Sequence, residues 1–156
     1  VSRTQVLTSK LLAAFTALTI TNLVVWVSSF AAILLFHGNH EYDLRTLLLL
    51  LVSVMIFQLF FLSVGLLISL LVKRVRSVTP YSLALGFGSY VLSAFSGLFG
   101  EATLELITPF KHFDAAYIIQ HGAYNTPLVL FNAAVTLVSL AVSYRRYIRR
   151  DIPSVS

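Results

Sequence analysis

Several uncharged hydrogen-bonding residues of this chain sit inside long apolar runs. Asn22 lies near the middle of the uncharged run Leu11–Phe36, with Thr19, Trp26 and Ser29 at spacings of three and four. Gln58 lies near the centre of Leu47–Val72, in line with Gly65 and Ser69. Asn132, Thr136, Ser139 and Ser143 recur in the same way from Leu128 onward. Residues three or four apart share a helix face, so each run has one polar stripe and is rich in Leu, Val and Phe elsewhere. A stripe of this kind either lines a pathway for a polar substrate or ties helices together. Hydrogen bonds between helices in lipid contribute about 0.6–2 kcal/mol each, and this is the commoner use. Asn22, Gln58, Asn132 and Thr136 are the candidates for either role. None of the runs Leu11–Phe36, Leu47–Val72 and Leu128–Tyr144 contains Asp, Glu, Lys or Arg. Proton relays, voltage sensors and ion-coupled carriers generally need one, which weighs against an ion-gradient carrier.

A second pattern occupies Tyr81–Gly100, where Ser82, Gly86, Ser89, Ser93 and Gly97 form a ridge of small residues at helical spacing. Small side chains let helix backbones approach closely, so this ridge is a candidate interface, within the chain or between two copies. Other chemistry is missing. There is no cysteine, which removes disulfides, zinc thiolates and thiol catalysis. No GxxxxGK[ST] phosphate loop and no GxSxG elbow occurs, and GFG at Gly86–Gly88 has neither the third glycine nor the preceding strand of a dinucleotide site. The cluster HGNHE, His37–Glu41, lacks the helical spacing that metal ligands need and reads as a solvated loop. No catalytic, cofactor or metal residue is assigned, and the chain is not expected to be an enzyme.

The elements that must position these residues follow from composition. The chain has 156 residues, 58% of them hydrophobic and 11% charged, with mean hydropathy +0.88. A soluble domain carries about 25% charged residues, and disordered chains are more polar still. Crossing roughly 30 Å of hydrocarbon takes about 20 mostly apolar residues. Four stretches qualify, at about 11–36, 47–72, 81–100 and 128–148. The expected fold is therefore all-α, a polytopic membrane bundle in a single transmembrane domain over residues 1–156. The first run is too long for a signal-peptide core of about 7–15 residues.

Net charge is +5 and the pI about 9.8, but the basic residues bracket the apolar runs. Nine of the eleven are Arg3, Lys10, Lys73, Arg74, Arg76, Arg145, Arg146, Arg149 and Arg150. A nucleic-acid face would interleave them with polar and aromatic residues on one soluble surface, so no nucleic acid is expected as a partner. The two remaining connections are acidic: Glu41 and Asp43 against Arg45, and Glu101, Glu105 and Asp114 against Lys111. Positive charge stays cytoplasmic, which predicts both ends inside and both acidic connections outside a plasma membrane. The outer segment, residues 101–126, is patterned rather than loop-like. Pro109 divides it, Tyr117 and Tyr124 suit a membrane–water boundary, and short interfacial or re-entrant helices are expected. The opening VSRTQVLTSK reads as the interior of a longer polypeptide, so these residues are expected to be a piece of one.

Three stretches together resemble the permease subunits of ABC-2-type transporters. VSRTQVLTSKLLAAF, Val1–Phe15, is similar to the family's segment that leads into its third span. TPFKHFDAAYI, Thr108–Ile118, resembles the outward motif between its last two spans, and YRRYIRRDI, Tyr144–Ile152, its basic carboxyl end. The resemblance covers essentially the whole chain. It implies the last four of six spans in a prokaryotic plasma-membrane exporter. A separate ATP-binding subunit would dock below, and a second permease subunit, identical or related, would complete the pathway within the membrane lipid. It further implies an outer gate at Pro109, Phe110, Phe113 and Asp114, and a cytoplasmic contact near Arg3 and Lys10; plain positive-inside topology explains those two cations equally well. ATP would bind the partner only. The competing expectation is a membrane anchor, assembly or sensor subunit that transports nothing.

Overall fold

The computed structural model describes residues 2–38, 41–72, 77, 79–99 and 102–149, and within them the chain is all-helical. Seven helices follow in order: α1 Arg3–Phe36, α2 Leu44–Leu71, α3 Thr79–Phe99, α4 Ala102–Ile107, α5 Pro109–His112, α6 Ala115–His121 and α7 Thr126–Arg149. Three of them, α1, α2 and α7, are long and apolar enough to cross a membrane. Their surfaces agree with that reading. Leu12, Val24, Val27, Leu34 and Leu35 on α1 are all more than 60% exposed, as are Leu130, Leu137 and Val138 on α7. Apolar surface on this scale is an aggregation liability in water and ordinary in lipid. α3 is not one of the three. It carries no charge over its 21 residues, but a fourth membrane-crossing helix is not shown among the described residues.

Local chemistry explains where the helices start. The polar opening of the chain continues α1 rather than preceding it. Ser2 and Gln5 form a reciprocal capping box, which satisfies amides that a first turn otherwise leaves orphaned. At α2 the cap is Asp43, whose carboxylate accepts from the Arg45 and Thr46 amides and the Thr46 hydroxyl. The bond from the Thr46 hydroxyl, followed by that from the Arg45 amide, holds the Asp43 carboxyl below its ordinary value. α6 ends at Gly122, whose φ of 58° is left-handed, a backbone conformation glycine adopts without strain.

The bundle is built on α2, which packs most extensively along α7. The buried residues of that pair are unusual for a protein core: Leu51, Ser53, Phe60 and Ser63 on α2, and Leu128, Asn132, Ser139 and Ser143 on α7. Lipid tails are as apolar as leucine, so helices associate through close packing of small residues and hydrogen bonds, and the large apolar side chains turn outward. Two contacts set the register. The Tyr124 hydroxyl donates to the Leu49 carbonyl at 2.6 Å, so α2 and α7 begin at the same end and run parallel. Thr8 and Tyr144 share a hydrogen bond at 2.9 Å, so the start of α1 lies beside the finish of α7.

Candidate functional site: a polar layer beneath the outer segment

Two hydrogen-bonded pairs lie at one height in the bundle, level with residues 57–61 of α2. In the first, the Asn22 side-chain amide donates to Gln58 Oε1 at 2.6 Å and to the Leu18 carbonyl at 2.8 Å. Asn22 is buried, while Thr19, Trp26 and Ser29 are half-buried along the same face. Asn22 and Gln58 thus join α1 to α2 near the middle of both helices. Asn22→Leu is expected to lower stability by about 1 kcal/mol, and Asn22→Leu/Gln58→Leu by less than the sum of the two single changes, because both remove one bond. A double-mutant cycle of unfolding in detergent micelles measures this, and strict additivity would count against the pairing.

The second pair joins Asn132 to His112, a residue that the sequence pattern does not single out. α4, α5 and α6 form the outer segment, and α5 descends between the long helices rather than resting on top of them. Pro109, first residue of α5, is buried, and its missing amide costs nothing at that position. Phe110 stands edge-on to Phe57 at 4.8 Å between ring centroids and to Tyr90 of α3 at 6.1 Å. His112, only 2% exposed, contacts the rings of Phe60 on α2 and Phe131 on α7. α5 therefore reaches about half-way down α2 and is held there by aromatic rings from three helices.

The imidazole of His112 is bonded on both sides. Nε2 lies 2.9 Å from the Leu106 carbonyl, and Nδ1 lies 3.1 Å from Asn132 Nδ2. A carbonyl can only accept, so Nε2 carries the proton and Nδ1 accepts from the Asn132 amide, which makes the ring neutral. The bond to Leu106 also satisfies one of the carbonyls that the end of α4 would leave orphaned. Thr108, fully buried, gives the Leu104 carbonyl, which already accepts the Thr108 amide at 3.1 Å, a second bond from its hydroxyl at 2.6 Å. Burial holds the His112 imidazole below its ordinary value, and the Leu106 bond opposes that shift. Asn132 Oδ1, in contrast, is buried with no partner among the described residues. Above His112 a pocket of about 60 Å³ is lined by Glu105, Lys111, Asp114, Tyr117 and Asn125, roomy enough for a few waters.

The other gate candidates flank this seat. Phe113 packs edge-on against Tyr124 at 5.7 Å. Asp114 caps α6 by accepting from the Ala116 amide and forms an ion pair with Lys111 at 3.3 Å. Burial raises the Tyr124 hydroxyl above its usual value. Thr136 donates to the Asn132 carbonyl within α7 and contacts no other helix through that bond. The structure thus brings Asn132, Pro109 and Phe110 together around His112, with Asn22 and Gln58 as a separate pair on the far side of α2.

The ridge on α3 is arranged differently from a tight intramolecular seam. Ser89 is buried, Ser93 and Gly86 are half-buried, and Ser82 is exposed. A Cβ added at Gly86 or Gly88 would meet nothing within 4 Å, so among the described residues no helix uses these glycines for close approach. α3 packs chiefly on α4 and α5. Arg3 begins α1, but its side chain, the surroundings of Gly97, and the whole of His40, Lys73, Arg74, Arg76, Glu101 and Arg150 lie outside what the structure describes. Lys10 is exposed. His37 Nδ1 bonds to the Ile33 carbonyl and its ring stands edge-on to Tyr42, and no group of His, Asp and Glu among the described residues is arranged to hold a metal. No family model, no curated protein and no solved structure matches this chain.

Proposed function

We propose that this chain is the membrane-spanning permease subunit of an ATP-driven exporter of the ABC-2 type, with α1, α2, α3 and α7 as its spans. The observation that carries the reading is the descent of α5 between α2, α3 and α7, with His112 and Phe110 seated near mid-height. An outer segment plugged into the bundle, rather than lying on it, is a structure suited to opening and closing a path. α3, uncharged and 21 residues long, spans about 31 Å at 1.5 Å per residue, enough for a fourth crossing. In this reading both ends would lie in the cytoplasm, which the clustering of basic residues supports. The second permease subunit would pack against the open glycine face of α3. The power stroke would come from a separate ATPase whose closure on ATP tilts the helices, a two-state change driven by differential binding.

The test is purification of the tagged chain from its own membranes, followed by identification of what comes with it. A Walker-motif ATPase should co-purify, and the complex in proteoliposomes should export only when ATP is supplied. Solute movement that persists without nucleotide, or the absence of any such ATPase, overturns the proposal. One observation favours the second reading, an anchor or assembly subunit: Asn22 and Gln58 are bonded to each other rather than facing an open path. In that case their replacement by Leu would alter stability and leave every activity of the complex intact.

A further inference from the structure

At the end of the bundle opposite the outer segment, α1, α2 and α3 diverge and leave a groove of about 440 Å³. Its walls are Leu11 and Ala14 of α1, Leu62 and Gly65 of α2, and Leu85 of α3. Its mouth is polar, with Lys10, Ser69 and Tyr81. A Cβ placed on Gly65 would meet nothing within 4 Å, so the space beside that glycine is open. Along α2 the groove extends from Phe61 to Ser69, about 12 Å at 1.5 Å per residue. That is close to half of a bilayer's hydrocarbon thickness of roughly 30 Å.

We infer that this groove holds one acyl chain of an anionic phospholipid, whose headgroup lies against Lys10. Three features support that occupant. Apolar walls surrounding an empty volume forfeit their dispersion contacts, and in the hydrocarbon region an acyl chain is the filler at hand. The depth matches a single leaflet. The mouth carries a lysine that has no ion-pair partner among the described residues, where Lys111–Asp114 is the one salt bridge, and Tyr81 beside it suits the headgroup boundary. The inference depends on α1 and α2 crossing the membrane and is independent of any transport activity.

Native mass spectrometry of the purified chain tests it, with phosphatidylglycerol and phosphatidylcholine of matched acyl chains offered together. One phosphatidylglycerol should be retained in preference to phosphatidylcholine by about fivefold, the scale of one lysine near an anionic surface. Lys10→Gln should abolish the preference while lipid is still held. Gly65→Leu, which projects into open space, should reduce retention of both lipids; Ala14→Leu on the facing wall should do the same if the first variant fails to fold. Inorganic phosphate should not displace the lipid. Equal retention of both lipids by the unaltered chain, undiminished retention by the groove-filling variants, or displacement by phosphate would each overturn the assignment.

Discussion

Acidification is expected to loosen the outer segment, because His112 is buried as a neutral ring. Its value is held below the ordinary 6.5 chiefly by burial. The sign follows from proton binding in the two states. Above pH 6.5 the imidazole is neutral whether α5 is seated or released, and the seat contributes its full stability. As pH falls below 6.5, the released ring takes up a proton that the seated ring resists. Stability is therefore lost progressively down to the lowered value, by at most about 1.4 kcal/mol per pH unit. Protonation would also turn Nδ1 from acceptor to donor, which requires Asn132 to rotate its amide and present Oδ1, now unpartnered. Glu105, Asp114, Lys111 and Tyr117 line the pocket above the ring, and the two carboxylates there would soften the loss.

Thermal unfolding in detergent micelles from pH 8 to pH 5 measures this effect. The melting temperature should fall below pH 6.5 in the unaltered chain, and His112→Leu should flatten that part of the profile. Asn132→Asp should invert it. A carboxylate against Nδ1 would favour the imidazolium and raise its value, so stability would be present at low pH and lost as pH rises. A profile unchanged by His112→Leu would remove His112 as its origin.

Phe110→Ala is expected to give the largest mechanical effect. The ring bridges Phe57 on α2 and Tyr90 on α3 and is half-buried, so truncation should cost about 2–3 kcal/mol, less than the 3–5 of a fully buried phenylalanine. The cost falls on the seating of α5 rather than on the whole bundle, because α2 and α7 pack together independently of it. Hydrogen exchange at the amides of residues 110–118 should accelerate by about thirtyfold or more, while the middle of α2 keeps its protection. Phe110→Leu should recover much of the loss. If Phe110→Ala left exchange in this segment unchanged, α5 would not be held by its aromatic socket. Under the exporter reading the same variant should make proteoliposomes leak small solutes without ATP.

Much of the architecture was legible in the chain. The long uncharged runs predict α1, α2 and α7, since a helix in lipid must satisfy its backbone internally, and hydrophobic length is a local property. The polar stripes coincide with the less exposed faces of α1 and α7 but not of α2, where Ser53, Phe60 and Ser63 are buried while Gln58 and Gly65 are half-buried and Ser69 is exposed. The half-buried face of α1 is the one marked by Thr19, Asn22, Trp26 and Ser29, and the buried face of α7 is the one marked by Asn132, Ser139 and Ser143. The pattern at Pro109 predicted a break in the outer segment, and α4 and α5 meet there, although a second break at Asp114 adds a third short helix.

Pairing was not legible. Asn22 has the same helical periodicity whether its amide meets Gln58, water or a substrate, and only the packing of α1 on α2 decides. The ridge on α3 shows the same limit, since small residues permit close approach without supplying a partner, and Gly86 faces open space. His112 is the sharpest instance. In KHFD it stands beside Lys111 and near Asp114, and any local average reads the stretch as solvated. In the fold Lys111 and Asp114 turn to one another at 3.3 Å, whereas His112 turns inward to Leu106, Asn132 and two phenylalanines. Composition and period determined that this chain forms helices long and apolar enough to cross a membrane, with polar faces, because burial in lipid constrains each helix separately. Which polar groups meet depended on the descent of α5, since a hydrogen bond between residues 20 or 36 apart exists only once the helices have chosen their neighbours.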